Sequence, residues 1–169
     1  MFSEEVKKAL IEAGWKSGRK INIGPYEEAL IKEGYYMPKV LKEFLSEFGG
    51  LYLKCPNFCD FTFEELQILK KHPIPGAKPI PLYQTMNFDV LDVLNPPSKV
   101  PMTKEEIFEP RIGEDLIEFG EIWDGRCGLN MTPTGKIYAK DVDYILFLGN
   151  NYVEMLENEF HHVRPRMIP

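Results

Sequence analysis

The chain has 169 residues, 44% of them apolar and 27% charged, which suits one globular domain burying roughly 70% of its unfolded surface. No apolar run approaches the ~20 residues that a membrane-spanning helix needs. The net charge of −6 is not spread evenly: residues 104–124 hold eight acids against two bases, and the rest is neutral. A local acidic surface has the wrong sign for nucleic acid and the right sign for a basic protein. Met1-Phe2-Ser3-Glu4-Glu5 carries acids where a secretory leader carries bases, so the expected location is cytoplasmic.

In chain order, the first predicted helix runs from Ser3 to Ala13. Ser3 can cap it, Glu4 and Glu5 suit its positive end, and Gly14 stops it. Residues 15–23 read as an extended link, with Ile21 and Ile23 alternating against Lys20 and Asn22. A second helix starts at Pro25, whose fixed φ suits a first turn, and ends at Gly34. The third, Pro38–Phe48, has the clearest pattern. Val40, Leu41, Phe44, Leu45 and Phe48 make one apolar stripe, opposite Lys39, Lys42, Glu43, Ser46 and Glu47. Gly49-Gly50 ends this helix, since glycine reaches the left-handed cap without a Cβ clash, and Leu51-Tyr52-Leu53 leaves as a strand.

Thr62 with Glu65 forms a capping box and Phe61 with Leu66 a hydrophobic staple, predicting a short helix to about Lys70. Met102 to Ile107 repeats the device, and Pro110 limits that helix to little more than a turn. Between them lie Pro73, Pro75, Pro79, Pro81, Pro96, Pro97 and Pro101, a density that forbids a central strand there. Residues 72–101 are expected to be an ordered excursion over the surface, with Phe88–Leu94 a helical turn or an edge strand.

The C-terminal half reads as a meander. Leu116–Trp123 is a strand, Asp124-Gly125 a tight turn and Arg126–Met131 the return. Pro133-Thr134-Gly135 turns into Lys136–Lys140, and Tyr144–Leu148 makes a fourth strand. Simple alternation would put Ile117 and Phe119 on the same face as Glu121 and Trp123; a bulge at Gly120 would reset the phase. Asn150 or Asn151 caps a last helix with Val153, Leu156 and Phe160 inside, and His161-His162 falls at its frayed end.

No phosphate-cradling glycine loop and no nucleophile elbow occurs. Glu118 with Glu121, or Asp115 with Asp124, could form an acid–base pair, but 26 of 169 residues are carboxylates and chance supplies such pairs. Cys55, Cys59 and Cys127 are an odd number, and the spacing of the first two is wider than that of common zinc ribbons, even with His72 nearby. Ordinary thiols, no metal, no cofactor and no catalytic residue are therefore expected.

Trp15-Lys16-Ser17-Gly18-Arg19, the Phe44–Phe48–Gly49–Gly50 unit, Gly113, Gly120, Gly135 with Tyr138, and Gly149 follow one another in order. In that order and spacing they resemble the SUKH superfamily of bacterial toxin-immunity proteins, in particular its third subfamily. The likeness covers roughly residues 10–70 and 110–160, with the Pro-rich stretch at about 72–101 as an atypical insertion in a single domain of residues 1–169. It implies an α+β domain with an antiparallel meander flanked by helices. It also implies a protein that binds a cognate toxin, often a nuclease or nucleic-acid deaminase, and blocks it by occupying it. In that pattern Trp15, Gly18 and Arg19 belong to the fold. Glu114, Asp115, Glu118, Glu121 and Asp124 are the candidate partner-binding acids, facing a basic toxin. Two other readings are a regulatory interaction module of the same superfamily and a small enzyme of other chemistry.

Overall fold

The computed structural model describes residues 1–57, 63–79, 81–94 and 112–169. Helices α1 (Glu4–Glu12), α2 (Gly24–Lys32) and α3 (Lys39–Phe48) come first, then strand β1 (Tyr52–Pro56) and helix α4 (Phe63–Lys71). Strand β2 (Tyr83–Asn87) and helix α5 (Val90–Leu94) follow. The meander is β3 (Ile117–Ile122), β4 (Cys127–Met131), β5 (Ile137–Lys140) and β6 (Ile145–Gly149). Helix α6 (Tyr152–Phe160) and strand β7 (Arg166–Ile168) close the chain. Among the described residues the strands form one seven-stranded sheet in the order β1 to β7, every pair antiparallel. The fold is α+β, as the sequence predicts.

Local chemistry explains the helix ends. Ser3 Oγ accepts from the Val6 amide and Asn151 Oδ1 from the Glu154 amide, which caps the starts of α1 and α6. The two glycines after α3 divide their work. Gly49 stays at negative φ, but a Cβ there would lie 2.6 Å from the Leu45 carbonyl oxygen and 2.8 Å from the Tyr26 ring. Gly50 takes the left-handed turn, with φ 72°.

The helices cover one face of the sheet. Leu41, Phe44, Leu45 and Phe48 of α3 are buried, together with Leu53, Met86, Phe119, Ile122 and Leu129 from the strands. Phe44 is the hub: its ring centroid lies 5.1–5.4 Å from those of Phe48, Phe88, Phe119 and Tyr152. The opposite face carries a smaller cluster of Leu116, Tyr138 and Ile145 toward β5 and β6.

Two expectations differ from the structure. The 72–101 excursion does not merely cross the surface. Its Pro-free window supplies β2, an interior strand paired with β1 and β3, and α5, whose Val90, Val93 and Leu94 are buried. The prolines flank this strand and none enters its ladder, so a central strand fits between them. The last helix also departs from its expected stripe, and it is followed by β7, which pairs with β6 and was not expected. Burial in α6 is carried by Met155, Leu156, Glu159 and Phe160, while Val153 stays half-buried. The expected bulge is present. The β3–β4 register shifts between Glu118 and Gly120, so Phe119 and Ile122 both face inward and Glu121 faces out. The Thr62 capping box, its Phe61 staple partner, Cys59 and the Met102–Ile107 device lie outside the described residues.

Candidate partner-binding surface

The meander does not gather the five candidate acids. Glu114 sits ahead of β3, beside the β4–β5 turn. Lys136 Nζ lies 2.6 Å from its Oε1, and Thr134 Oγ1 donates to its Oε2 at 2.5 Å. These hydrogen bonds, Lys136 first and Thr134 second, hold its carboxyl below the usual range. Asp115 is exposed at the same end. Glu118 lies on the outward side of β3 with its carboxylate folded over Gly128, where any Cβ would collide with it. Glu105, Glu106 and Glu109 lie outside the described residues.

Glu121 and Asp124 belong to the other end of β3. Glu121 pairs in register with Asn87 on β2 and Gly128 on β4. Burial pushes its carboxyl up, and neighbouring Asp92 adds to the shift. Asp124 is exposed in the β3–β4 turn, where Trp123, Asp124 and Gly125 are all left-handed, at φ 57°, 56° and 77°. Asp124 ties that turn to β2. Its Oδ1 accepts from the Thr85 amide at 2.7 Å and the Thr85 hydroxyl at 2.9 Å, and its amide donates to the Thr85 carbonyl.

Two acids absent from the candidate set join this end. Asp92 on α5 accepts a hydrogen bond from the Tyr52 hydroxyl, which chiefly pushes the phenol up to about 12. Asp89 caps the first turn of α5 through the Leu91 amide and adds to the charge felt by Tyr52. The sequence signal for them was Asn87-Phe88-Asp89 ahead of an apolar run, an Asx start masked by the ambiguity between strand and helix. A hollow of about 250 Å³ lies among Tyr52, Thr85, Asn87, Glu121, Asp124 and Gly125. Among the described residues, none of Asp89, Asp92, Glu121 and Asp124 has an ion-pair partner.

The other singled-out residues serve the fold. The Trp15 indole N–H donates to Glu47 Oε1 at 2.9 Å, and its ring stacks on Phe48. Arg19 caps the C-terminal end of α3, donating to the Glu47 and Gly49 carbonyls at 2.5 and 2.9 Å. Gly18 provides the left-handed turn between the two, at φ 75°. Gly135 is likewise left-handed, at φ 93°, and Tyr138 packs on Phe147. A Cβ at Gly149 would lie 2.7 Å from the Met155 amide. Cys55 and Cys127 are buried free thiols on β1 and β4, both pushed up chiefly by burial. Among the described residues, no group of three His, Cys, Asp or Glu is placed to hold a metal ion. No described helix is long and apolar enough to cross a membrane.

The chain is thus an α+β meander with helices packed on its sheet and its described candidate acids divided between the two ends of β3. The model of the SUKH-3 immunity protein family matches residues 2–159, and the chain belongs to that family. No curated protein and no solved structure matches it.

Proposed function

We propose that this chain is the immunity protein of a toxin-producing bacterial cell, acting in the cytoplasm by binding its cognate toxin and blocking it one-to-one. The observation that carries this reading is the family match over residues 2–159, nearly the whole chain. Occlusion needs shape and charge rather than a reactive centre. Asp92 and Asp124, exposed and without an ion-pair partner among the described residues, support a partner with a basic surface, as a nuclease or nucleic-acid deaminase toxin has around its substrate groove. The supposed active-site pairs fit this reading better than catalysis. Glu118 is folded over Gly128, whereas Glu121 points toward Asp92 and Asn87, and Asp115 and Asp124 lie at opposite ends of β3.

The test is protection. The toxin encoded beside this chain, induced alone, should stop growth of a host cell, and co-expression of this chain should restore it. The two proteins should then co-purify. A host that dies equally fast with and without this chain would contradict the immunity reading and favour a regulatory module of the same superfamily.

A further inference from the structure

We infer that the outward sheet face around Tyr52, Asn87 and Glu121 at the β1–β2–β3 end is the docking surface, and that its occupant is a basic protein segment carrying Lys or Arg beside an apolar residue. The inference deepens the immunity reading and rests on it for the partner's identity.

Three independent features meet on this face. The first is exposure. Among the described residues, Tyr52 and Tyr83 are each 51% exposed, Tyr83 beside Glu5, Lys8 and Glu12 of α1. Half-exposed tyrosines on rigid strands are the residues that interfaces favour, since they offer large contact area at little cost in conformational entropy. The second is shape. The hollow between Tyr52, Asn87, Glu121 and Asp124 is concave at the scale of one side chain, and its walls are tied by backbone and side-chain hydrogen bonds rather than left loose. The third is unbalanced charge. Glu114 shows how this fold neutralises an acid it keeps for itself, with Lys136 at 2.6 Å. Asp89, Asp92, Glu121 and Asp124 receive no such cation among the described residues; Lys54, the cation exposed on this face opposite Thr85, forms no ion pair with them. Like charges held together disfavour the isolated molecule, and a guanidinium or ammonium seated in the hollow relieves that repulsion. The arrangement thus combines an aromatic anchor with an acidic rim, which a basic segment complements and a nucleic acid, lipid phosphate or acidic protein does not. The sheet's far end carries cations, including Arg166 over the Phe147 ring and Lys140 on β5. A second copy docked head to tail is therefore the competing occupant.

Two probes separate the surface from the immunity reading. Deca-lysine, titrated into labelled protein, should shift the backbone amide resonances of Tyr52, Thr85, Asn87 and Asp124 first, and leave those of Asp115 and Thr134 nearly unmoved. The toxin encoded beside this chain should protect the same amides, and its association should slow about 10-fold at low salt in the Asp92→Lys/Glu121→Lys variant. The milder Asp92→Asn/Glu121→Gln variant, checked for an unchanged melting temperature, should slow it by a smaller factor. Reversal at Glu12 or Glu33 should change little. Deca-lysine shifts centred elsewhere, or toxin binding unaffected by either double variant, would overturn this surface while leaving immunity standing. Deca-lysine mapping as described but no toxin binding by the parent would overturn the immunity reading and keep the face as a site for basic segments. Concentration-dependent self-association that the double reversal abolishes would overturn the proposed occupant in favour of a second copy.

Discussion

Among the described residues, Glu159 is the one carboxylate sunk into the core. It is 2% exposed, on the inner side of α6, and its Oε2 accepts from the Trp123 indole N–H at 3.0 Å. Burial pushes its carboxyl up to about 7, the Trp123 hydrogen bond pulling the other way. A carboxyl whose folded value exceeds its unfolded value favours the folded state most when it is protonated. That stability is fully present below about pH 4.5 and is lost as pH rises through 7. The shift corresponds to about 3 kcal/mol. The difference in unfolding free energy between Glu159→Gln and the parent should therefore grow in the variant's favour between pH 5 and pH 8, since a Gln carbonyl can keep the indole hydrogen bond. A pH-independent difference in urea unfolding would contradict this account. Trp123 itself has a left-handed backbone, at φ 57°, a conformation that a bulky residue rarely adopts. Nothing in the sequence signalled Glu159. It occupies a stripe position of an ordinary amphipathic helix, and only the fold shows that its neighbour is the Trp123 ring. Phe44, by contrast, was legible as core from spacing alone. With four aromatic rings around it, Phe44→Ala should cost ~3–5 kcal/mol in the same assay.

At the scale of elements, the sequence read well wherever one local rule dominated. The α3 stripe, the Ser3 and Asn151 caps, the Asp124-Gly125 turn and the Gly120 bulge all appear where spacing and turn chemistry put them. It read poorly where pairing partners lie far apart. The β2 strand is only five residues long, sits between prolines, and gains its place from β1 and β3. β7 is shorter still and depends wholly on β6. Neither has enough periodicity to announce itself. The α3–β1 junction provides an element-scale test. Gly50 is left-handed, with the Tyr26 hydroxyl 3.2 Å from where a Cβ would go, and Arg19 holds the carbonyls just before it. Gly50→Val should lower thermal stability by clearly more than Ser46→Val on the exposed face, by at least ~1–2 kcal/mol. Equal effects would mean that the junction does not depend on the left-handed turn.

At the scale of the whole molecule, the acidic excess was legible as a run in sequence, and the fold redistributes it. β3 carries Glu114 and Asp115 to one end and Glu121 and Asp124 to the other, where Asp89 and Asp92 arrive from a stretch of chain thirty or so residues earlier. Charge counted along a chain cannot show which acids receive a cation. Only the structure distinguishes the Lys136-paired Glu114 from the four around Tyr52. The account's central claim is that this protein protects by occupying a toxin, one molecule for one molecule. The most direct measurement is residual toxin activity titrated with this chain at toxin concentrations well above the dissociation constant. A nanomolar complex, about −12 kcal/mol, predicts a linear fall to zero that breaks at one equivalent, with full activity recovered when the complex is denatured and the toxin refolded alone. Complete loss of activity at a small fraction of one equivalent, progressing with time, would instead show turnover and contradict the claim.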